Sequence, residues 1–105
     1  MTDNFKIIYQ LLSAFERALD VPDFDVSAIT AESLHISETR RCKYLQMLVH
    51  AGYITGIQFR QNLAGGIDII ADNPLITIQG LEYLSENSIM QRIYKTVKGI
   101  ADVIT

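Results

Sequence analysis

Few side chains in this sequence have the chemistry to act on a substrate. Its imidazole and thiol groups are His35, Cys42 and His50. Cys42 and His50 are eight residues apart, a little over two helical turns, so on one helix they stand about 12 Å apart along the axis and no single metal ion bridges them. Neither Cys-x-x-Cys nor His-Glu-x-x-His occurs, and those are the spacings that hold zinc. Asp20, Asp23 and Asp25 offer oxygen ligands. An EF-hand loop counted from Asp23, however, puts Ala28 where glycine is needed and Leu34 where the bidentate glutamate belongs. Gly65-Gly66 lacks the surrounding pattern of a phosphate-binding loop and fits a tight turn instead. Glu82 and Glu86 lie one turn apart with no third partner and read as solvated carboxylates. Cys42 reads as a small buried apolar residue, and His50 as a favourable charge near a helix C-terminus. The expectation is a protein with no catalytic residues, no metal and no cofactor.

The cations are more informative. The chain has 105 residues, with nine Lys+Arg against twelve Asp+Glu and a net charge of −3. Residues 37–66 carry Arg40, Arg41, Lys43 and Arg60 against Glu38, a local +3, whereas residues 1–36 sum to −4 and residues 67–105 to −2. If Cys42, Leu45, Leu48 and Val49 face inward on a helix, Thr39, Arg40, Lys43, Gln46, Met47 and His50 share its outer side. Arginine and lysine so placed reach phosphates or base edges, and Gln46 can pair bidentately with adenine. Arg60 and Asn62 stand beside the following loop. The predicted DNA-contacting set is therefore Thr39, Arg40, Arg41, Lys43, Gln46, Met47, His50, Arg60 and Asn62. A merely solvated amphipathic helix shows a similar polar face, and an acidic chain repels phosphate overall.

The elements that must position these residues follow from periodicity and punctuation. Phe5, Ile8, Leu11, Leu12, Phe15 and Leu19 recur at helical spacing and predict a helix over about residues 4–20, capped by Thr2 or Asp3 and stopped before Pro22. Ser27 or Thr30 caps a brief helix that buries Ile29 and Leu34. Ser37 caps the next, with Glu38 at its positive end. Gly52 has the place of a left-handed terminator, with Tyr53 set to close on Leu48. The period then becomes two: Tyr53, Thr55, Ile57 and Phe59 alternate with Ile54, Gly56, Gln58 and Arg60, and after the glycine loop Ile67, Ile69 and Ala71 alternate likewise. Asn73-Pro74 is expected to end this hairpin. Thr77 caps a helix burying Ile78, Leu81 and Leu84, and Ser88-x-x-Gln91 starts a last one. Along that last helix Ile93, Val97, Ile100 and Ile104 form a narrow seam, either a homodimer contact or a cover for the first helix. The interior Gly99 weakens its far end.

The predicted fold class is α+β, mainly α: a single domain over residues 1–105 in which a three-helix helix-turn-helix unit precedes a β-hairpin wing and two C-terminal helices. This is a winged helix, the alternative being a helical bundle with an incidental hairpin. Several stretches resemble the YjcQ family, small winged-helix proteins of Gram-positive bacteria and their prophages. They are Asn4-Phe5-Lys6-Ile7-Ile8-Tyr9, Phe24-Asp25, Glu32-Ser33-Leu34-His35-Ile36-Ser37, Met47-Leu48-Val49-His50-Ala51-Gly52-Tyr53-Ile54, Ile76-Thr77-Ile78-Gln79-Gly80-Leu81-Glu82-Tyr83-Leu84 and Glu86-Asn87-Ser88. The resemblance implies the winged-helix architecture and a prophage-associated, cytoplasmic setting, and it brings no catalytic residue. A lone cysteine, a start without a signal-peptide pattern and the lack of a long apolar run also lead one to expect a cytoplasmic protein away from membranes. Two functions fit these features: a DNA-binding or transcription-modulating protein recognising double-stranded DNA through residues 37–50 and the wing, or a non-catalytic module that docks a protein partner.

Overall fold

A computed structural model of the protein describes residues 4–87. Helix α1 spans Asn4–Arg17 and tightens into a 3-10 turn over Ala18–Asp20. A second 3-10 turn at Val26–Ala28 leads into α2 (Ala31–Leu34) and α3 (Glu38–His50). Strands β1 (Ile54–Gln61) and β2 (Ile67–Ile76) pair antiparallel, and residues 78–87 form α4. Among the described residues the protein is thus α+β and mainly helical, with four α-helices and one two-stranded hairpin. The last helix expected from Ser88, with its seam and Gly99, lies outside these residues, as do the caps Thr2 and Asp3.

Local capping works largely as the sequence predicts. Val21, before Pro22, is extended and ends the first helical run. Thr30 Oγ1 accepts the Ser33 amide at 3.0 Å, and Ser37 Oγ accepts the Arg40 amide at 3.0 Å. Asp25 rather than Ser27 caps the turn at Val26–Ala28: its carboxylate accepts the Ser27 amide at 2.9 Å. Hydrogen bonds from the Ser27 side chain and amide hold the Asp25 carboxyl below the usual carboxylate range. His35, left-handed at φ 57°, turns the chain between α2 and α3. At the far end of α3, Gly52 has φ 80°. Its amide bonds the Val49 carbonyl at 3.0 Å and the Tyr53 amide bonds the Leu48 carbonyl at 2.9 Å, the paired closure expected there.

The core gathers Ile7, Leu11, Leu12 and Phe15 of α1, Leu34 of α2, Tyr44, Leu45 and Leu48 of α3, Ile54 and Ile57 of β1, Ile76 of β2 and Leu84 of α4. Phe24 packs edge-on against Phe15, with centroids 5.0 Å apart. The α1 stripe differs from expectation at both ends, since Phe5 is 69% and Leu19 48% exposed. Ile7 closes the stripe at one end. At the other, the three-residue winding of the 3-10 turn carries Leu19 off the α-helical face.

Three further expectations are corrected. Strict alternation fails in β1, because Ile54 and Ile57, three apart, are both buried. Gly56 lies between them at φ 80° and switches the side that faces inward. Second, Asn73-Pro74 does not end the hairpin. Thr55 pairs with Leu75 and Ile57 with Ala71, so Gly56 alone faces Asp72, Asn73 and Pro74. This bulge accommodates the proline without breaking the strand, and pairing resumes at Leu75 and Ile76. Third, Thr77 caps α4, its Oγ1 accepting the Gly80 amide at 3.1 Å, and Leu84 is buried, but Ile78 is 73% and Leu81 36% exposed. A Cβ on Gly80 would lie 2.4 Å from the Tyr53 carbonyl oxygen. This close approach turns the Gly80–Leu84 side inward and the other side out.

Candidate interaction surface

Because α3 buries Cys42, Tyr44, Leu45 and Leu48, its opposite flank exposes Thr39, Lys43, Met47 and His50, with Gln46 half-buried. Met47 retains 53% of its surface in solvent. These five residues share one side of the helix, as expected. Arg41 does not join them. It is only 7% exposed, and its guanidinium donates to the Ile29 carbonyl, to the Val26 carbonyl at 2.8 Å and to the Glu38 carboxylate at 2.8 Å. Arg41 therefore leaves the predicted DNA-contacting set. Its position borders the apolar stripe, and two carbonyls of the preceding segment draw it inward.

Arg40 is exposed but occupied. Its Nη2 donates to Asn4 Oδ1 at 2.7 Å and its Nε to Tyr44 Oη at 3.1 Å. The guanidinium carbon lies 5.6 Å from the Tyr44 ring centroid, a cation–π distance. Tyr44 Oη also bonds Asn4 Oδ1. Together these contacts hold Arg40 against the start of α1.

The hairpin loop is built around Asn62. Its Oδ1 accepts the Ala64 amide at 3.0 Å and the Gly66 amide at 2.9 Å, while its Nδ2 donates to Asp68 Oδ1 at 3.0 Å. These bonds shape the loop and occupy the amide group that the sequence assigns to DNA contact. Arg60 is exposed and stands opposite Asp68 in the strand register. The loop also presents apolar residues that the charge reading passed over. Leu63 is fully exposed, at 109% of its reference area, and Ile67 is 46% exposed. The available signal was an aliphatic pair, Leu63-Ala64, inside an Asn/Gly loop where polar residues are usual.

Two hollows meet on this surface. A cleft of about 320 Å³ lies between Glu38, Thr39, Cys42 and Lys43 of α3 and Asn62, Gly65, Gly66 and Ile67 of the hairpin. A shallow depression of about 610 Å³ is lined by Lys43, Gln46, Met47, His50 and Ala51. Lys43 borders both.

Cys42, at the cleft, is a free thiol only 7% exposed. Burial pushes its pKa up, the Glu38 charge adds to this and Arg41 opposes it. A protonated, shielded thiol is a poor nucleophile. Thiol-reactive disulfide reagents are expected to label the native protein far more slowly than a short cysteine peptide at pH 7, with full reactivity in denaturant. Labelling at the peptide's rate would show that the cleft admits the reagent. Among the described residues no three His, Cys, Asp or Glu side chains cluster to hold a metal ion, and no helix is long and apolar enough to cross a membrane.

The fold and surface define a small, mainly helical α+β protein with an antiparallel hairpin beside the exposed flank of α3. The chain belongs to the YjcQ family: the family model described as YjcQ protein matches residues 9–103. No curated protein and no solved structure matches the chain.

Proposed function

We propose that this protein is a non-catalytic protein-docking module on a winged-helix scaffold, with α1–α3 as the helical unit, β1–β2 as the wing and the α3 flank plus hairpin loop as the docking surface. The observation that carries this reading is the composition of that surface. Met47 on α3 and Leu63 and Ile67 on the hairpin are exposed, and Lys43 borders both hollows, while Arg41 is withdrawn and Arg40 is tied to α1. Magnitudes favour a protein partner. Two or three cations give a salt slope of only about −2 to −3 on DNA, on a chain whose net charge is −3. Burying apolar side chains such as methionine and leucine contributes about 1.5–3 kcal/mol each. The cytoplasmic, prophage-associated setting implied by the family resemblance is part of this proposal.

Immobilised full-length chain is expected to retain a stoichiometric protein from nuclease-treated extract of the native host, and to lose it on Met47→Asp or Leu63→Asp substitution without a change in unfolding midpoint. Retention that ignores both substitutions would mean that the partner docks elsewhere.

A second reading, recognition of double-stranded DNA and modulation of transcription, is favoured by one specific feature. The hairpin loop lies beside Thr39 and Lys43 on α3, as a wing lies beside a recognition helix. The nearby carboxylates of Glu38 and Asp68 are also engaged, by Arg41 and Asn62. On this reading a low-salt gel shift on genomic DNA is lost in the Lys43→Ala/Arg60→Ala double variant and survives Met47→Ala. The protein-docking reading expects no shift at all.

A further inference from the structure

Resting on the docking reading, we infer that the partner segment is acidic and amphipathic, with an aliphatic or aromatic anchor seated at Met47 and a carboxylate about one helical turn away that pairs with Lys43. Lys43 and Met47 are four residues apart on α3 and so are neighbours on its surface, about 6 Å apart along the axis. A ligand that engages both must carry its two groups at a matching separation. The depression is lined by Lys43, Gln46, Met47, His50 and Ala51, with no carboxylate among them. The one acid bordering the adjoining cleft, Glu38, has its Oε1 2.8 Å from Arg41 Nη1.

Charge elsewhere sharpens the preference. Residues 1–36 sum to −4, whereas on this flank Lys43 is exposed and the depression it borders is lined by no carboxylate. Acidic segments are therefore repelled from the first third of the chain and tolerated at this flank, whereas a basic segment would be drawn to the first third. A second copy of the chain meeting flank to flank would bring the two Lys43 ammonium groups together, and like charges disfavour that arrangement.

The test is selection from a random displayed-peptide library on the full-length chain, followed by titration of an enriched peptide. Enriched sequences are expected to carry Asp or Glu three or four residues from an aliphatic or aromatic residue. Met47→Ala and Lys43→Glu should each weaken binding about tenfold or more, and Lys43→Glu should improve binding of a peptide whose acids are changed to lysine. Both positions are exposed, so fold loss does not confuse the comparison. Enriched peptides that are neutral or basic, yet still sensitive to Met47→Ala, would overturn the inferred chemistry and leave the docking reading standing. No enrichment, or enrichment indifferent to Met47, would overturn both. Displacement of the peptide by duplex DNA, with DNA affinity depending on Lys43 but not Met47, would replace both with the nucleic-acid reading.

Discussion

Replacing Gly56 with alanine is expected to cost about 3 kcal/mol and to lower the thermal midpoint by roughly 15 °C. Two penalties coincide there. The backbone sits at φ 80°, a region that costs an L-residue about 1–2 kcal/mol. A Cβ would also stand 2.4 Å from the Asn73 carbonyl oxygen and 2.7 Å from that of Asp72. Those neighbours are backbone atoms of the bulge and cannot rotate aside. To make room, β2 must move where Thr55↔Leu75 and Ile57↔Ala71 flank the irregularity, which disturbs Ile54, Ile57 and Ile76 in the core. Gly52 supplies the control, because it has the same φ of 80° and a methyl group added there would meet nothing within 4 Å. Gly52→Ala should therefore cost only the conformational share, about 1–2 kcal/mol. Urea unfolding of the two variants measures the difference. Equal losses would mean that close packing at the bulge contributes nothing.

How far the fold could be read from the residues depended on the range over which each feature is decided. The caps Thr30, Ser37 and Thr77 and the terminator Gly52 act within a few residues of themselves, so their side-chain chemistry was enough to find them. The hairpin was legible as two alternating runs, but its bulge was not. Gly56 and Pro74 each suggest an irregularity, and only their meeting across the ladder lets the strand pass the proline. The buried side of α4 was missed for a related reason, because it is set by how closely Gly80 approaches the Tyr53 carbonyl on another element. On the candidate surface, helical spacing located Thr39, Lys43, Gln46, Met47 and His50. Spacing alone could not say where a long, flexible cation beside the stripe would turn. Arg40 found Asn4 and Tyr44, and Arg41 found carbonyls in the segment before α2. Counting cations along the chain therefore overstated the charge offered to a partner.

Arg41→Met is expected to destabilise the protein by about 2–3 kcal/mol, although methionine keeps most of the apolar stem. The loss lies in the acceptors left behind. The Ile29 carbonyl loses the Nε donor, and the Val26 carbonyl keeps only the Ile29 amide at 3.1 Å after losing Nη2 at 2.8 Å. A buried acceptor deprived of its partner costs about 1–3 kcal/mol. The ion pair contributes little by comparison: the Glu38 side chain is 68% exposed, so Glu38→Gln should cost no more than about 1 kcal/mol. Arg41→Lys is the discriminating variant. An ammonium carries the same charge but lacks the planar fork that reaches two carbonyls and a carboxylate together, so it should restore only part of the loss. Full recovery by lysine would show that charge, not geometry, holds the segment. The same ranking constrains any binding experiment. A variant lacking Arg41 loses the tie between α3 and the Val26 and Ile29 carbonyls, so a loss of binding in it is mixed with loss of fold, whereas Lys43→Ala removes an exposed cation and should leave the unfolding midpoint unchanged. A loss of binding in the Lys43 variant can then be assigned to the surface itself, and a loss in the Arg41 variant to the helix that carries it.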